Sequence, residues 1–429
     1  MRCLYDLLNY SCINNLYINK ERHYYMSILD DIKPRKEERK SINNLINSVL
    51  EKIKIKDAHL ELGGSYAKDT FLRGNHDIDV FVKFPYEKYK NRDISEILDN
   101  GIKIRHKRVH GSRDYFQISK NEYTFEFIPV LDIKDSSQAR NITDVSPLHK
   151  KWVIKNLKNH DDVRLIKKFC RAQKVYGAES YIKGFSGYVL EILTVYYKNF
   201  MNLVKNVSNW KLPVYIDAEK HYKSREDACR KINKSKRENN LIIIDPTQKD
   251  RNAAAAISKE KIESFINACK GYLRNPSEDF FVERNINIQD LIVESAGKKL
   301  LLVKIKPLNG KKDVAGSKIL KVYFHLENKL GEFEFDIIKS GWEFNSESLL
   351  YYIVRDEILS DIIIHHGPPL IKEKYVKAFK KKHKNHIVVG GKVMVELKRR
   401  VRNLKDFSGV MRKDKYIKDK IKEIKFEIF

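Results

Sequence analysis

Between Lys36 and Lys56 the apolar residues Ile42, Leu45, Ile46, Val49, Leu50 and Ile53 recur at spacings of three and four, which predicts a helix with one buried face. "AHLEL" at 58–62 follows as a strand, ended by Gly63 and Gly64, and "DIDVFVKF" is a second strand stopped by Pro85. A helical "DISEILDN" at 93–100 precedes the alternating stretches "IKIRHKRV", "DYFQIS" and "YTFEFIPV", which extend the sheet. The first 130 residues thus predict a small mixed sheet flanked by helices.

From about 150 to 283 the pattern turns mostly helical, in "VRLIKKFCRAQKVYG", "GFSGYVLEILTVYYKNFMNLVKNV" and "KEKIESFINACKGYL". The exception is "LIII" from Leu241 to Ile244, which has the length of a strand. "RNPSED" at 274–279 has the composition of a linker. Beyond it "KKLLLVKIK", "KVYFHL" and "EFEFDII" predict strands, and "SLLYYIVRDEILSDIII" a helix running up to a stop at "HHGPP". The expected fold class is therefore a multidomain α+β chain: a mixed-sheet head over 26–155, a mostly helical region over 156–283 and an α+β region over 284–429. Residues 1–25 are read as an N-terminal extension, with Met26 as an alternative start.

At 429 residues the chain is long enough for two to four cores. Charge narrows the class of partner. Lysine and arginine number 84 against 57 acids, a net +27 that continues past the first 300 residues and favours a polyanion such as nucleic acid. A lysine-rich, merely solvated surface is the alternative. In "KEKYVKAFKKKHKNH" and "ELKRRVRNLKDF" basic residues interleave with apolar ones, as in a helix that packs on one side and meets phosphates on the other, although a solvated basic helix fits either segment alone. Cys3, Cys12, Cys170, Cys229 and Cys269 form no CxxC pair, which argues against a zinc site or disulfide framework and for a reducing, cytoplasmic setting. No apolar run approaches the length of a membrane span, so no membrane is expected.

The chemistry concentrates in "LGGSYAKDTFLRGNHDIDVFVKF", residues 62–84. Side chains two apart on a strand share a face, so Asp77 and Asp79 point together while Ile78 and Val80 point into the core. Two like charges this close favour a divalent cation between them, and hard oxygen ligands suit Mg²⁺. Glu126, the acid within the "YTFEFIPV" strand, is the candidate third ligand; an exposed strand face is the alternative for it alone. Gly63 and Gly64 let the backbone approach a phosphate, Ser65 adds a hydroxyl at a helix start and Lys68 a charge one turn later. A plain turn would look the same. The aspartates about 14 residues on are what raise the turn's interest.

Taken together, "GGSYAKDTFLRGNHDIDVFVKF" resembles the signature of the nucleotidyltransferase superfamily, and more narrowly that of the class I, archaeal-type CCA-adding enzymes. "DVSPLHKKWV", "VRLIKKFCRAQKVYGAESYIKGFSGYVLEIL" and "IIIDPTQKDRNAAAAIS" are similar to later blocks of that family in order and spacing. The likeness covers roughly 26–275; beyond 280 it rests on layout and on "HHGPP" before a basic helix. It implies that Asp77, Asp79 and Glu126 are catalytic carboxylates holding two Mg²⁺. It also implies that Gly64, Ser65 and Lys68 meet the triphosphate, that His149, Lys167 and Tyr176 hold the incoming nucleotide, and that Arg251 helps read its base. Glu126 stands where the family has an aspartate. The implied activity is untemplated addition of CCA to tRNA from CTP and ATP, by a cytoplasmic homodimer whose basic third region grips the acceptor arm. Two alternatives are a poly(A) polymerase-like tailing enzyme and a catalytically silent RNA-binding relative. Lys167 and Tyr176 lie nine apart and would not share a face of one continuous helix, so "YGAE" is expected to break it. On its residues alone Arg251 could instead bond Asp245 or Asp250, and His149 could be an ordinary helix-entry histidine.

Overall fold

Helix α1, Lys36–Leu50, buries Ile42, Ile46 and Val49, the stripe its periodicity predicts. The computed structural model describes residues 25–355 and 358–429. These fall into two compact units, one ending at Arg284 and one running from Asn285 to Phe429.

In the first unit, strand β1, His59–Leu62, is followed by a single helical turn, α2, Gly64–Ala67, and by β2, Asp77–Pro85. Helix α3, Ile94–Gly101, opens on Asp93, whose carboxylate accepts from the amides of Ser95 and Glu96. Strands β3, Lys107–Val109, β4, Tyr115–Lys120, and β5, Tyr123–Asp132, complete a sheet ordered β1-β2-β5-β4-β3. Only β2 and β5 run parallel. Ile78, Val80, Val82 and Phe84 of β2 and Phe125 and Phe127 of β5 join α1 and α3 in one core. "IKIRHKRV" yields a shorter strand than its alternation predicts. His106 bridges the carbonyl of Ile104 and the carboxylate of Asp99, which makes 103–106 a connection rather than a rung.

A second core in the same unit lies among α4, Ser146–Asn156, α5, His160–Ala172, α6, Gly187–Tyr197, and α7, Phe200–Ser208. A small sheet ordered β6-β7-β8 (Val214–Ile216, Leu241–Asp245 and Gln248–Asn252) and helix α8, Lys259–Arg274, complete it. The predicted helix through "VLEILTVYYKNFMNLV" is two helices, because Lys198 takes a φ of +80° and Asn199 caps α7 by accepting from the amide of Asn202. The rings of Phe200, Phe265, Tyr272, Phe280 and Phe281 surround Phe169 at centroid distances of 5.7–6.4 Å. Burial of Phe281 corrects the linker reading of "RNPSED": the chain leaves this unit only after an aromatic anchor, beyond Arg284. Phe169→Ala should lower the stability of the unit by about 3–5 kcal/mol, read as a drop in its denaturant midpoint.

The expected extension over 1–25 lies outside the described residues except for Tyr25, whose hydroxyl meets that of Tyr272 at 3.0 Å. Arg164 of α5, 1% exposed, reaches across to the segment after α2. Its guanidinium donates to the carbonyls of Asp69 and Phe71 and to the carboxylates of Asp69 and Asp161, at 2.5–3.1 Å.

The second unit departs furthest from expectation. Strand β9, Lys298–Pro307, forms as predicted, but "KVYFHL" lies inside helix α9, Lys312–Glu332. Ile319, Val322, Tyr323, Leu326 and Leu330 bury one face of that helix at spacings of three and four, which outweighs the local alternation. "EFEFDII" becomes a strand only from Ile337, in β10, Ile337–Glu343, because Glu334 takes a φ of +68° and turns the chain before it. "SLLYYIVRDEILSDIII" gives two strands instead of a helix: β11, Ser348–Arg355, and β12, Ile362–Pro369. β11 sits between β10 and β9 with both faces covered, so its apolar run has no alternation to announce a strand. "HHGPP" is the end of β12, an edge strand that tolerates proline. Helix α10, Glu373–Lys382, carries the first basic segment, whereas the second is divided among β13, Lys392–Lys398, a loop and α11, Leu404–Met411. The final strand, β14, Ile421–Ile428, pairs with β9.

Candidate active site

The glycine turn sits directly on the strand that carries the aspartates. Gly63 donates its amide to the carbonyl of Asp79 at 2.8 Å. Gly64 has a φ of +56°, and a Cβ added there would lie 1.6 Å from Oδ2 of Asp79. A side chain at 64 is therefore excluded by the carboxylate itself. The helix that follows is one turn long, so Ser65 and Lys68 gain little from a helix dipole and act through their own groups.

The parallel register places Asp79 beside Glu126 and Asp77 beside Thr124. Ile78 and Val80 are buried on the opposite face, as the alternation requires. Gln117 is the partner of Glu126 across β4, and its Nε2 donates to Oε1 of Glu126 at 2.8 Å. Burial, followed by the charges of Glu126 and Asp77, raises the Asp79 carboxyl to about 7, against the pull of Lys68. Hard oxygens crowded until one resists ionisation are a donor set that a divalent cation would relieve. Among the described residues, no three His, Cys, Asp or Glu side chains already stand close enough together to enclose an ion.

Asp77, Asp79 and Glu126 line a cleft of about 310 Å³ with Ser65, Lys68, Lys167 and Tyr176. Helix α5 ends at Ala172, and Tyr176 forms a parallel bridge with Phe185, which folds the "YGAE" segment back. A Cβ on Gly187 would lie 3.2 Å from the Tyr176 hydroxyl and 3.5 Å from Cε of Lys167, so the two residues meet there despite being nine apart. Lys167 donates to the carbonyl and hydroxyl of Thr70 at 3.1 and 2.9 Å.

His149 and Arg251 gather around Asp245 at the end of β7. Nε2 of His149 lies 3.0 Å from Oδ2 of Asp245, and Arg251 donates to the same oxygen. Tyr188 donates its hydroxyl to Oδ1 at 3.1 Å while its ring stacks on His149 at 4.1 Å. Burial alone would raise the Asp245 carboxyl, but His149, Arg251 and the Thr247 amide hold it well below the usual range. Of the two partners the sequence allowed for Arg251, Asp245 is the one bonded. Tyr188 also lines the cleft and so joins this group to it.

Tyr188, Glu191 and Gln117 are not among the residues the motifs pick out, and Asp245 enters from the sequence only as a bond for Arg251. Glu191 left a legible signal, the one acid in the apolar "GYVLEIL". Gln117 left none, because nothing in a strand's composition gives its register.

The nucleotidyltransferase domain family matches residues 42–183, the second domain of tRNA nucleotidyltransferases matches 161–282, and the C-terminal domain of CCA-adding enzymes matches 301–423. A CCA-adding enzyme of Nanoarchaeum equitans is 32% identical over 353 residues, covering 81% of this chain and 86% of the relative. The chain belongs to the CCA-adding enzyme family. Two further members, from Methanosarcina mazei and Methanosarcina barkeri, are 29% and 30% identical, each covering 83% of this chain and 81% and 80% of their own length. The chain is accordingly a nucleotidyltransferase that adds CCA to tRNA, and nucleotide substrates and divalent metal go with that chemistry. The α+β multidomain fold expected from the sequence is the one observed. Among the described residues no helix is long and apolar enough to cross a membrane.

Proposed function

We propose that the cleft joins CMP, CMP and AMP in turn to the 3′ end of tRNA. The observation that carries this reading is the register that sets Asp79 beside Glu126, with the Gly64 turn closed against Asp79. The 3′-hydroxyl attacks the α-phosphate in line and pyrophosphate leaves. Asp77, Asp79 and Glu126 hold divalent ions, two Mg²⁺ in this reading, which when bound lower the hydroxyl's pKa and steady the leaving oxygens. Gln117 fixes one oxygen of Glu126 and so orients the side chain that is a methylene longer than the family's aspartate. Ser65 and Lys68 face the triphosphate, Lys167, Tyr176 and His149 hold the nucleotide, and Arg251, its fork set by Asp245, faces the base.

In this reading 26–155 is the head, 156–283 selects the nucleotide and 284–429 holds the acceptor arm. A-form RNA is gripped there by shape and phosphate, and α10 presents Lys380, Lys381 and Lys382 in its last turn. Two chains form a cytoplasmic homodimer, on the family resemblance.

The test is incorporation on tRNA ending before, within and after CCA. Two C and one A on the shortest substrate, one A on tRNA ending in CC and none on the complete end are expected. An unlimited A tail would instead favour a poly(A) polymerase-like activity.

A further inference from the structure

Glu191 is fully buried in α6, a helix whose other buried positions are almost all apolar. Its two oxygens are divided between separate elements. Oε2 accepts from Nζ of Lys68 at 2.6 Å. Oε1 accepts from the Thr70 hydroxyl at 2.8 Å and faces Nζ of Lys167 at 3.3 Å. A buried carboxylate persists only when paired, and the same holds for a buried ammonium. Here one carboxylate serves two lysines, which leaves a surplus positive charge at the wall of the cleft.

We propose that Glu191 is a positioning residue for triphosphate: from behind the cleft it holds Lys68 and Lys167 in place and keeps the Lys167 ammonium charged for the phosphates. The proposal rests on the reading that the cleft binds a nucleoside triphosphate. Burial lowers the Lys167 ammonium to about 8, Glu191 raising it and Lys68 and Arg171 lowering it further. Asp79 faces Lys68 from β2, and the Tyr176 hydroxyl lies beside Gly187 near Lys167. The sign follows from these groups. Lys167 loses its proton as pH rises through about 8, and without Glu191 it would do so at lower pH, leaving a neutral amine under the phosphates.

The experiment is equilibrium binding of CTP with Mg²⁺ to the full chain and to Glu191→Gln between pH 6.5 and 9. The amide keeps the shape and the Thr70 bond, and the ratio of the two affinities at each pH cancels the ionisation of CTP. Affinity of the parent should fall through about pH 8, and the variant's fall should begin about one unit lower, with about a threefold loss at pH 7.5 that approaches tenfold by pH 9. Glu191→Asp, which retains charge, should restore part of the shift. Superimposable pH profiles would overturn the proposal. Should Glu191→Gln lose the parent's thermal transition, Lys167→Gln takes its place: loss of the step near pH 8 supports the proposal and retention of it overturns it. Failure of the parent to incorporate nucleotides on tRNA lacking CCA would count against the reading of the site itself.

Discussion

Replacing Asp77 and Asp79 together by alanine should reduce nucleotide incorporation by a factor on the order of 10³ or more, since metal-held charge supplies several kcal/mol and each 1.4 kcal/mol is tenfold. Both side chains lie on the cleft face of β2, while that strand's contribution to the core comes from Ile78, Val80, Val82 and Phe84. The fold should therefore persist. Removing two acids also relieves the crowding that raises Asp79, so no stability should be lost at neutral pH. The dissociation constant for tRNA, measured at fixed salt, should stay within about threefold, because it is set by phosphate contacts spread over a chain of net charge +27. Turnover equal to that of the parent would remove both carboxylates from the mechanism. An equal fall in turnover and tRNA affinity would point to a folding defect.

The second large effect is expected at a residue that contributes no chemistry. Gly64→Ala puts a methyl where Oδ2 of Asp79 now lies, at a backbone φ of +56°. The left-handed conformation costs a non-glycine residue about 1–2 kcal/mol, a modest loss for the unit. Displacement of the carboxylate by an ångström or more matters more, and should lower kcat by about a hundredfold. Steady-state kinetics check this: the fall should appear in kcat at saturating CTP, with the melting transition shifted by only a few degrees. A fall confined to KM would place the turn in phosphate binding alone.

The two effects bear on what a reader could take from the sequence. Asp77 and Asp79 were legible because strand alternation is a local rule, and the pattern that put them on one face also buried Ile78 and Val80. Gly64 was legible as a turn, but its collision with Asp79 was not, since it depends on how closely two segments approach. Lys167 and Tyr176 share the cleft through a bridge between residues 176 and 185 that spacing along the chain does not give. Two of the differences in the second unit share a cause. "KVYFHL" and "SLLYYIVR" are short apolar runs that fit helix or strand, and tertiary burial decided each one against its local appearance. The role of Glu191 is silent in the sequence for another reason: an acid in an apolar helix acquires meaning only with Lys68 and Lys167 on either side of it.

Residues 68–71 carry a mechanical consequence of the buried Arg164. Its guanidinium grips the carbonyls of Asp69 and Phe71, while Lys68 and Thr70 are held by Glu191. This stretch belongs to the sheet half by sequence, yet its anchors are α5 and α6. Lys68, whose charge acts on Asp79, is thus set in place by the helices and not by the strand that carries the aspartates, so a change in α5 or α6 is felt at the carboxylates through this short stretch.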